Sequence, residues 1–364
     1  MKTNHQSLIP PKFVYVKDER FSVKNRLWQS APSAAITAGG RIFCVYSGDN
    51  VSADETTNNY NVCAYSDNGG EDFQLAFYTY HEHNVRISET LLFMSPDGEL
   101  YHFWTQNCGY FDGRGGIWCR VCKDPDAQPP VFDEPRRICD GCMADNPVVM
   151  KDGRWIFPAS RWTHIESDFH PFPEFKGVSI WESFDRANTV KYVGGFSDPT
   201  PSFSENSVFE DKNGALHMVF RTLSPIGLKT AVSKDGGKSW SEPIPFSIPG
   251  PDSRFMLQRL PSGALLLVTH YRNTGRSHLT ALLSDDDGKT FPYALLLDER
   301  TRVSYPSGNV TADGRVILAY DRERCGEREI LLAYFSEDDV RNGSLGKGSY
   351  TKKIVSKGGT DKGI

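Results

Sequence analysis

Residues 233 to 240 read SKDGGKSW, and the pattern recurs. SDNGGEDF occupies Ser66 to Phe73 and SDDDGKTF occupies Ser284 to Phe291, so all three fit S-x-[DN]-x-G-x-x-[WF]. A degenerate copy, SFDRANTV, begins at Ser183. The starts at 183, 233 and 284 lie 50 and 51 residues apart. Extending that period lands on SEDDVRNG at Ser336 and, backwards, on CKDPDAQP at Cys122. Such a period marks a propeller or solenoid built from about six units. Within the motif, Asp or Asn can bond the backbone of a turn, Gly permits a left-handed residue, and the aromatic can pack into the unit. The motif therefore reads as a fold staple, with no catalytic role for its acidic residue.

The intervening sequence agrees. Short β-prone runs such as NVCAYS, LKTAVS, LTALLS and ILLAYFS precede the copies. Hairpin signals appear at AGGR, PDGEL, KDGRW, KNGAL, PSGAL and ADGRV. Four antiparallel strands fill a unit of this length, which predicts an all-β, six-bladed β-propeller that limits exposed edges by radial repetition. The propeller is expected over residues 1–346. A polar, Gly-rich tail follows at 347–364, either mobile or a last edge strand plus a loose end. The net charge of −5 is spread through both signs, without a basic stripe for nucleic acid or a polybasic membrane segment. No apolar run is long enough for a membrane-spanning helix. The first residues lack the apolar core of a secretory signal, so a cytoplasmic location is expected if Met1 is the native start.

The repeats resemble the Asp boxes of the sialidase (neuraminidase) superfamily. The resemblance runs from about residue 28 to 340. It implies a Tyr nucleophile, a Glu that activates it, an Asp acid/base, arginines that grip a substrate carboxylate, and no cofactor. In VSYPSGNVTADGRVILAYD, Tyr305 matches the nucleophile. SENSVFEDKNGALHMVFRT gives Glu205 as activating Glu and Arg221 as a carboxylate Arg, and GRSHLTALLS gives Arg276 as another. Asp54 or its neighbour Glu55 matches the acid/base, on a loop before the first Asp box. The family's first Arg has no counterpart: LWQSAPSAAI places Ser30 there. The resemblance thus implies a retaining exo-glycosidase for a terminal acidic sugar, most simply an exo-α-sialidase. The missing Arg keeps open a uronic or other nonulosonic acid, cleaved by hydrolysis or lyase chemistry. A non-catalytic glycan- or protein-binding propeller is the third reading.

Chemically, a sugar with a carboxylate on its anomeric carbon would repel a carboxylate nucleophile, whereas a neutral Tyr avoids that repulsion. Tyr titrates near ~10 and needs a base at neutral pH, which Glu205 would supply. Other candidate pocket residues are Gln106 (with Trp104 and Asn107), Asn146 (with Asp145), Arg161 (with Trp162), and His270. Cys119, Cys122, Cys139 and Cys142 form two C-x2-C pairs at zinc-like spacing. However, WCRVC reads as a strand that would point Cys119 and Cys122 to opposite faces, which favours buried thiols over structural zinc.

Overall fold

The computed structural model describes residues 5–108, 115–161, 177–198, 205–223, 227–272 and 275–364. Its strands form six consecutive antiparallel blades. Blade 1 holds Trp28–Ile36, Ile42–Asp49, Tyr60–Ser66 and Gln74–Tyr80, with Lys12–Val14 added outside. Blade 2 runs from Val85–Met94 through Leu100–Cys108 and Gly116–Cys122 to Arg136–Asp140. Blade 3 has Val148–Val149, Trp155–Phe157, Val178–Ser183 and Lys191–Phe196, and a short pairing of Cys142–Met143 with Ala159–Ser160 extends its inner hairpin. Blade 4 has Asn206–Glu210, Leu216–Arg221, Leu228–Ser233 and Ile244–Pro245. Blade 5 has Met256–Arg259, Leu265–His270, Ser277–Ser284 and Tyr293–Thr301. Blade 6 has Val303–Val310, Arg315–Arg322, Glu329–Ser336 and Tyr350–Lys357.

The core is six apolar layers, one between each pair of neighbouring blades. Leu266 and Val268 point into the layer shared with blade 6, while Leu265 and Leu267 point into the layer shared with blade 4. Period-2 alternation on a strand covered on both faces therefore reads as a continuous apolar run. Ile42, Cys44, Ile330 and Leu332 close the ring between blades 1 and 6. Buried Arg26 locks that closure, donating to the Phe21 and Ile364 carbonyls and to the Tyr60 hydroxyl.

Residues 347–364 are accordingly no separate tail. Tyr350–Lys357 is the outer strand of blade 6, Gly359 donates its amide to the Val23 carbonyl, and Ile364 is buried.

Each Asp box is the turn from the third to the fourth strand of its blade. In SKDGGKSW the Ser233 hydroxyl bonds Asp235 and accepts the Gly237 amide, while Asp235 accepts the Ser239 amide. The same bonds recur at Ser66, Ser183 and Ser284. The degenerate copy is thus a working box, in which Ala187 takes the left-handed role of Gly at φ 66°. The extrapolated copies are not boxes. Ser336 instead caps a helix over Glu337–Asn342, and Asp126 beyond Cys122 bonds Thr37 and Gly39.

Gly237 sits at φ 97°, and a Cβ there would clash with the Ile180 Cδ1 of blade 3. Gly237→Ala should therefore cost about 2 kcal/mol or more of unfolding free energy, from backbone strain plus the clash. Chemical denaturation reads this, and an unchanged midpoint would refute the account.

Candidate functional site

Six hairpin glycines close the first two strands of the blades: Gly40, Gly98, Gly153, Gly214, Gly263 and Gly314. Each has positive φ and donates its amide three residues back. Nine residues before them stand Ala31, Glu89, Ala144, Glu205, Arg254 and Tyr305. These positions form one ring around the far end of the central channel.

In blades 1, 2 and 6 the inner strand bulges there, and Ala31, Glu89 and Tyr305 take φ of 50°, 50° and 57°. A bulge re-aims a side chain, and a left-handed non-Gly residue stores strain that the surroundings must hold. Below the ring the channel is stitched shut. Asn309 bridges the carbonyls of Ala34 and Leu92, and Ser307 bonds Ser33. Asp145 accepts the Leu257 amide, while Asn146 donates to the Gly308 carbonyl at 2.8 Å.

Tyr305 is buried among guanidinium groups. Those of Arg324, Arg254 and Arg276 lie 3.8, 4.5 and 5.2 Å from its ring centroid. Burial and the Glu205 carboxylate push its phenol up, but Arg324, Arg221 and Arg276 outweigh them and leave it below the ordinary tyrosine value. Glu205 is held from two sides, by Arg221 Nη1 at 2.6 Å and Arg254 Nη2 at 3.3 Å. Arg254 also pairs with Glu89, and Arg221 with Asp252. Arg276 Nη2 reaches the Asp252 carbonyl at 3.2 Å. Opposing burial, Glu205 holds Arg221 firmly protonated, while burial brings Arg254 down to about 10.

The far side belongs to blades 1 and 6. Buried Asp321 accepts the hydroxyls of Ser30 and Ser304, the Ala31 amide, and Arg324 Nε at 3.2 Å. Glu55 bridges Arg86 at 2.8 Å and Arg324 at 3.4 Å. Asp54 is exposed beside it, with its Oδ1 on the Glu55 amide. Cys325 donates to the Ala53 carbonyl, tying this loop to the turn that carries Arg324.

The structure therefore brings together Tyr305, Glu205, Arg221, Arg276 and Glu55, with Asp54 at the rim. It sets other candidates elsewhere. Gln106 does not face the channel: its amide holds the Ser7 and Ile9 carbonyls, and Trp104 packs on Phe13 and Trp118. His270 donates its Nε2–H to the Val303 carbonyl, and burial keeps its imidazole down at about 4, so it is a neutral pin between blades 5 and 6. Asn146 lies in the stitching beneath the site. Arg161 is buried near Asp140 and pairs through its backbone with Gly177, while Trp162 lies outside the described residues.

The zinc-like cysteines are not assembled. Cys119 and Cys139 lie in the layer between blades 2 and 3, and Cys122 lies with Cys63 between blades 1 and 2. Among the described residues no group of three His, Cys, Asp or Glu could hold a metal. Burial raises the thiols of Cys119 and Cys122 to about 12 and 11.

Arg254, Glu89 and Arg324 escaped the sequence reading. Counting nine back from each hairpin Gly finds the first two. Arg324 lies only three residues beyond Asp321, in a turn with no repeat partner.

Asp145 carries a pH signature. Burial raises its carboxyl from 3.8 to about 6 against the bonds from Ser207, Leu257 and Asn146. The folded state thus binds the proton more tightly than the unfolded chain. This stabilisation is complete below pH ~4 and is lost as pH rises through 6, by about 3 kcal/mol in all. Asp145→Asn should flatten the slope of unfolding free energy between pH 4 and 7. An unaltered slope would contradict the assignment.

Fold and ring define a six-bladed propeller resembling sialidases. The chain belongs to the BNR repeat-like domain family, whose model matches residues 40–318. No curated protein sequence matches it. A Hadza microbial sialidase is similar in structure at TM-score 0.66 and 15% identity, covering 87% of this chain and 67% of that one. The intramolecular trans-sialidase from Ruminococcus gnavus, in complex with oseltamivir carboxylate, aligns at TM-score 0.59 and 13% identity, covering 87% and 96%. An α-L-arabinanase of Penicillium chrysogenum, complexed with arabinobiose, aligns at 0.60 and 13%, covering 91% and 99%. At these identities the likeness carries the fold alone; the neighbours are glycosidases of differing substrate.

Proposed function

We propose that the chain is a retaining exo-glycosidase for a terminal acidic sugar, most simply an exo-α-sialidase, with Tyr305 as nucleophile. The supporting observation is the buried Tyr305 in its strained bulge, with its phenol lowered by guanidinium groups against the opposing charge of Glu205. Glu205 takes the phenol proton as the oxygen attacks the anomeric carbon. The leaving oxygen takes a proton from the loop carboxyl, which then activates water to release the sugar with its configuration retained. The acid/base must meet both the leaving oxygen and water, so we assign it to Asp54, the exposed carboxyl of this loop, over Glu55, which is tied to buried Arg86. The partly exposed guanidinium groups beside Tyr305 favour an anionic sugar over a neutral one such as arabinose.

The test is hydrolysis of an aryl α-sialoside beside aryl uronides and neutral aryl glycosides, with the first-formed anomer read by NMR. Turnover confined to acidic donors with retention supports the reading; turnover of none, or of neutral donors only, ends it. Asp54→Asn should lower kcat about 100-fold on a sialoside with a poor leaving group and much less on a nitrophenyl sialoside. Equal losses on both would remove Asp54 from that role.

A further inference from the structure

Blade 1 offers no arginine to this site. Ser30 is fully buried, and its hydroxyl is spent on Asp321. Yet Asp321 is not left without a guanidinium, because it holds Arg324, three residues further along its own blade. The Arg324 guanidinium lies 3.8 Å from the Tyr305 ring centroid, with Nη2 on Ser304 at 3.0 Å and Nη1 toward Glu55.

The arginines differ in what they can still reach. The side chains of Arg221 and Arg254 are 5% and 1% exposed, and each is clamped between carboxylates. Arg324 is 18% exposed, and Arg276 is also partly exposed.

We infer that Arg324 replaces the absent blade-1 arginine, so that a donor carboxylate is gripped by Arg324 and Arg276 beside Tyr305, while Arg221 and Arg254 serve to hold Glu205. This rests on the acidic-sugar reading and goes further, because it moves the specificity determinant to blade 6 and reassigns Arg221 from gripping substrate to positioning the base. Glu55 then yields the Arg324 fork to the ligand anion while keeping its pair with Arg86.

The experiment is calorimetric binding of N-acetylneuraminic acid and of its methyl ester to wild-type, Arg324→Gln, Arg324→Lys and Arg221→Lys proteins. The acid-to-ester affinity ratio isolates the carboxylate contact and does not depend on turnover. A lost charge-assisted pair is worth about tenfold or more. The ratio should fall by that factor in Arg324→Gln and partly in Arg324→Lys, and should hold in Arg221→Lys. An unchanged ratio in both Arg324 variants, with wild type preferring the acid, overturns this inference and leaves the acidic-sugar reading standing. A wild-type protein with no preference for the acid overturns both. Arg324→Lys keeps a cation beside Asp321 and Glu55, so it reports even if Arg324→Gln fails to fold.

Discussion

Tyr305→Phe should abolish turnover of an aryl sialoside, lowering kcat at least about 1,000-fold, while leaving the propeller folded. The substitution removes one oxygen. The ring that Arg324, Arg254 and Arg276 approach remains, as does the left-handed backbone of the bulge. Thermal denaturation should therefore move little, which separates loss of the nucleophile from loss of fold. Incubation with 2,3-difluorosialic acid supplies a second readout: wild type should gain a covalent adduct on the peptide containing Tyr305, and the Phe variant none. A Phe variant within a few-fold of wild type, or an adduct on another residue, would remove the Tyr mechanism. The lowered phenol also sets a direction in pH. Ionisation of Tyr305 begins below the ordinary tyrosine range, so the phenolate absorbance that disappears in Tyr305→Phe should titrate below that of the other tyrosines.

Arg254→Met is the largest expected loss of stability, about 3–5 kcal/mol. The guanidinium is buried between Glu89 and Glu205, and removing it leaves the desolvated Glu89 carboxylate without this partner and Glu205 with Arg221. The long apolar Met fills much of the volume, so the cost is chiefly electrostatic. Adding Glu89→Gln should recover part of it, because the charge that Arg254 compensated at Glu89 is then gone. A double-mutant cycle on unfolding free energy measures this coupling. Additive losses would mean that Arg254 and Glu89 do not act on each other. Catalysis should suffer as well, since Glu205 would keep only Arg221 as an orienting partner.

The two substitutions probe different parts of one arrangement, and these parts were unequally visible in the chain. The turns were legible. In an Asp box, Ser, Asp and Gly bond partners within six residues, so the sequence contains every participant. The degenerate box at Ser183 forms with Ala187 in the left-handed position, whereas the segment at Ser336 has Asp338 at the same spacing but Val340 at that position, and its Ser instead caps a helix with Asp339. Tyr305, Glu205, Arg221 and Arg276 were found through resemblance, and they do converge. Gln106 and His270 were misplaced because a polar residue in a strand reads the same whether it faces the channel, the amino-terminal segment or the next blade. The tail was undecided for a similar reason: an edge strand with polar alternation looks like a loose end until the neighbouring strand is present.

The sequence by itself determined the blade count and the hairpins, because each rests on bonds between near neighbours repeated at a fixed interval. Only the tertiary structure decided which ring residues pair. Glu89 meets Arg254, and Asp321 takes Arg324 where Ser30 offers no guanidinium, because the closing of six blades brings together side chains from opposite ends of the chain. Electrostatic partners are chosen by distance in space, and no interval along the backbone encodes that distance.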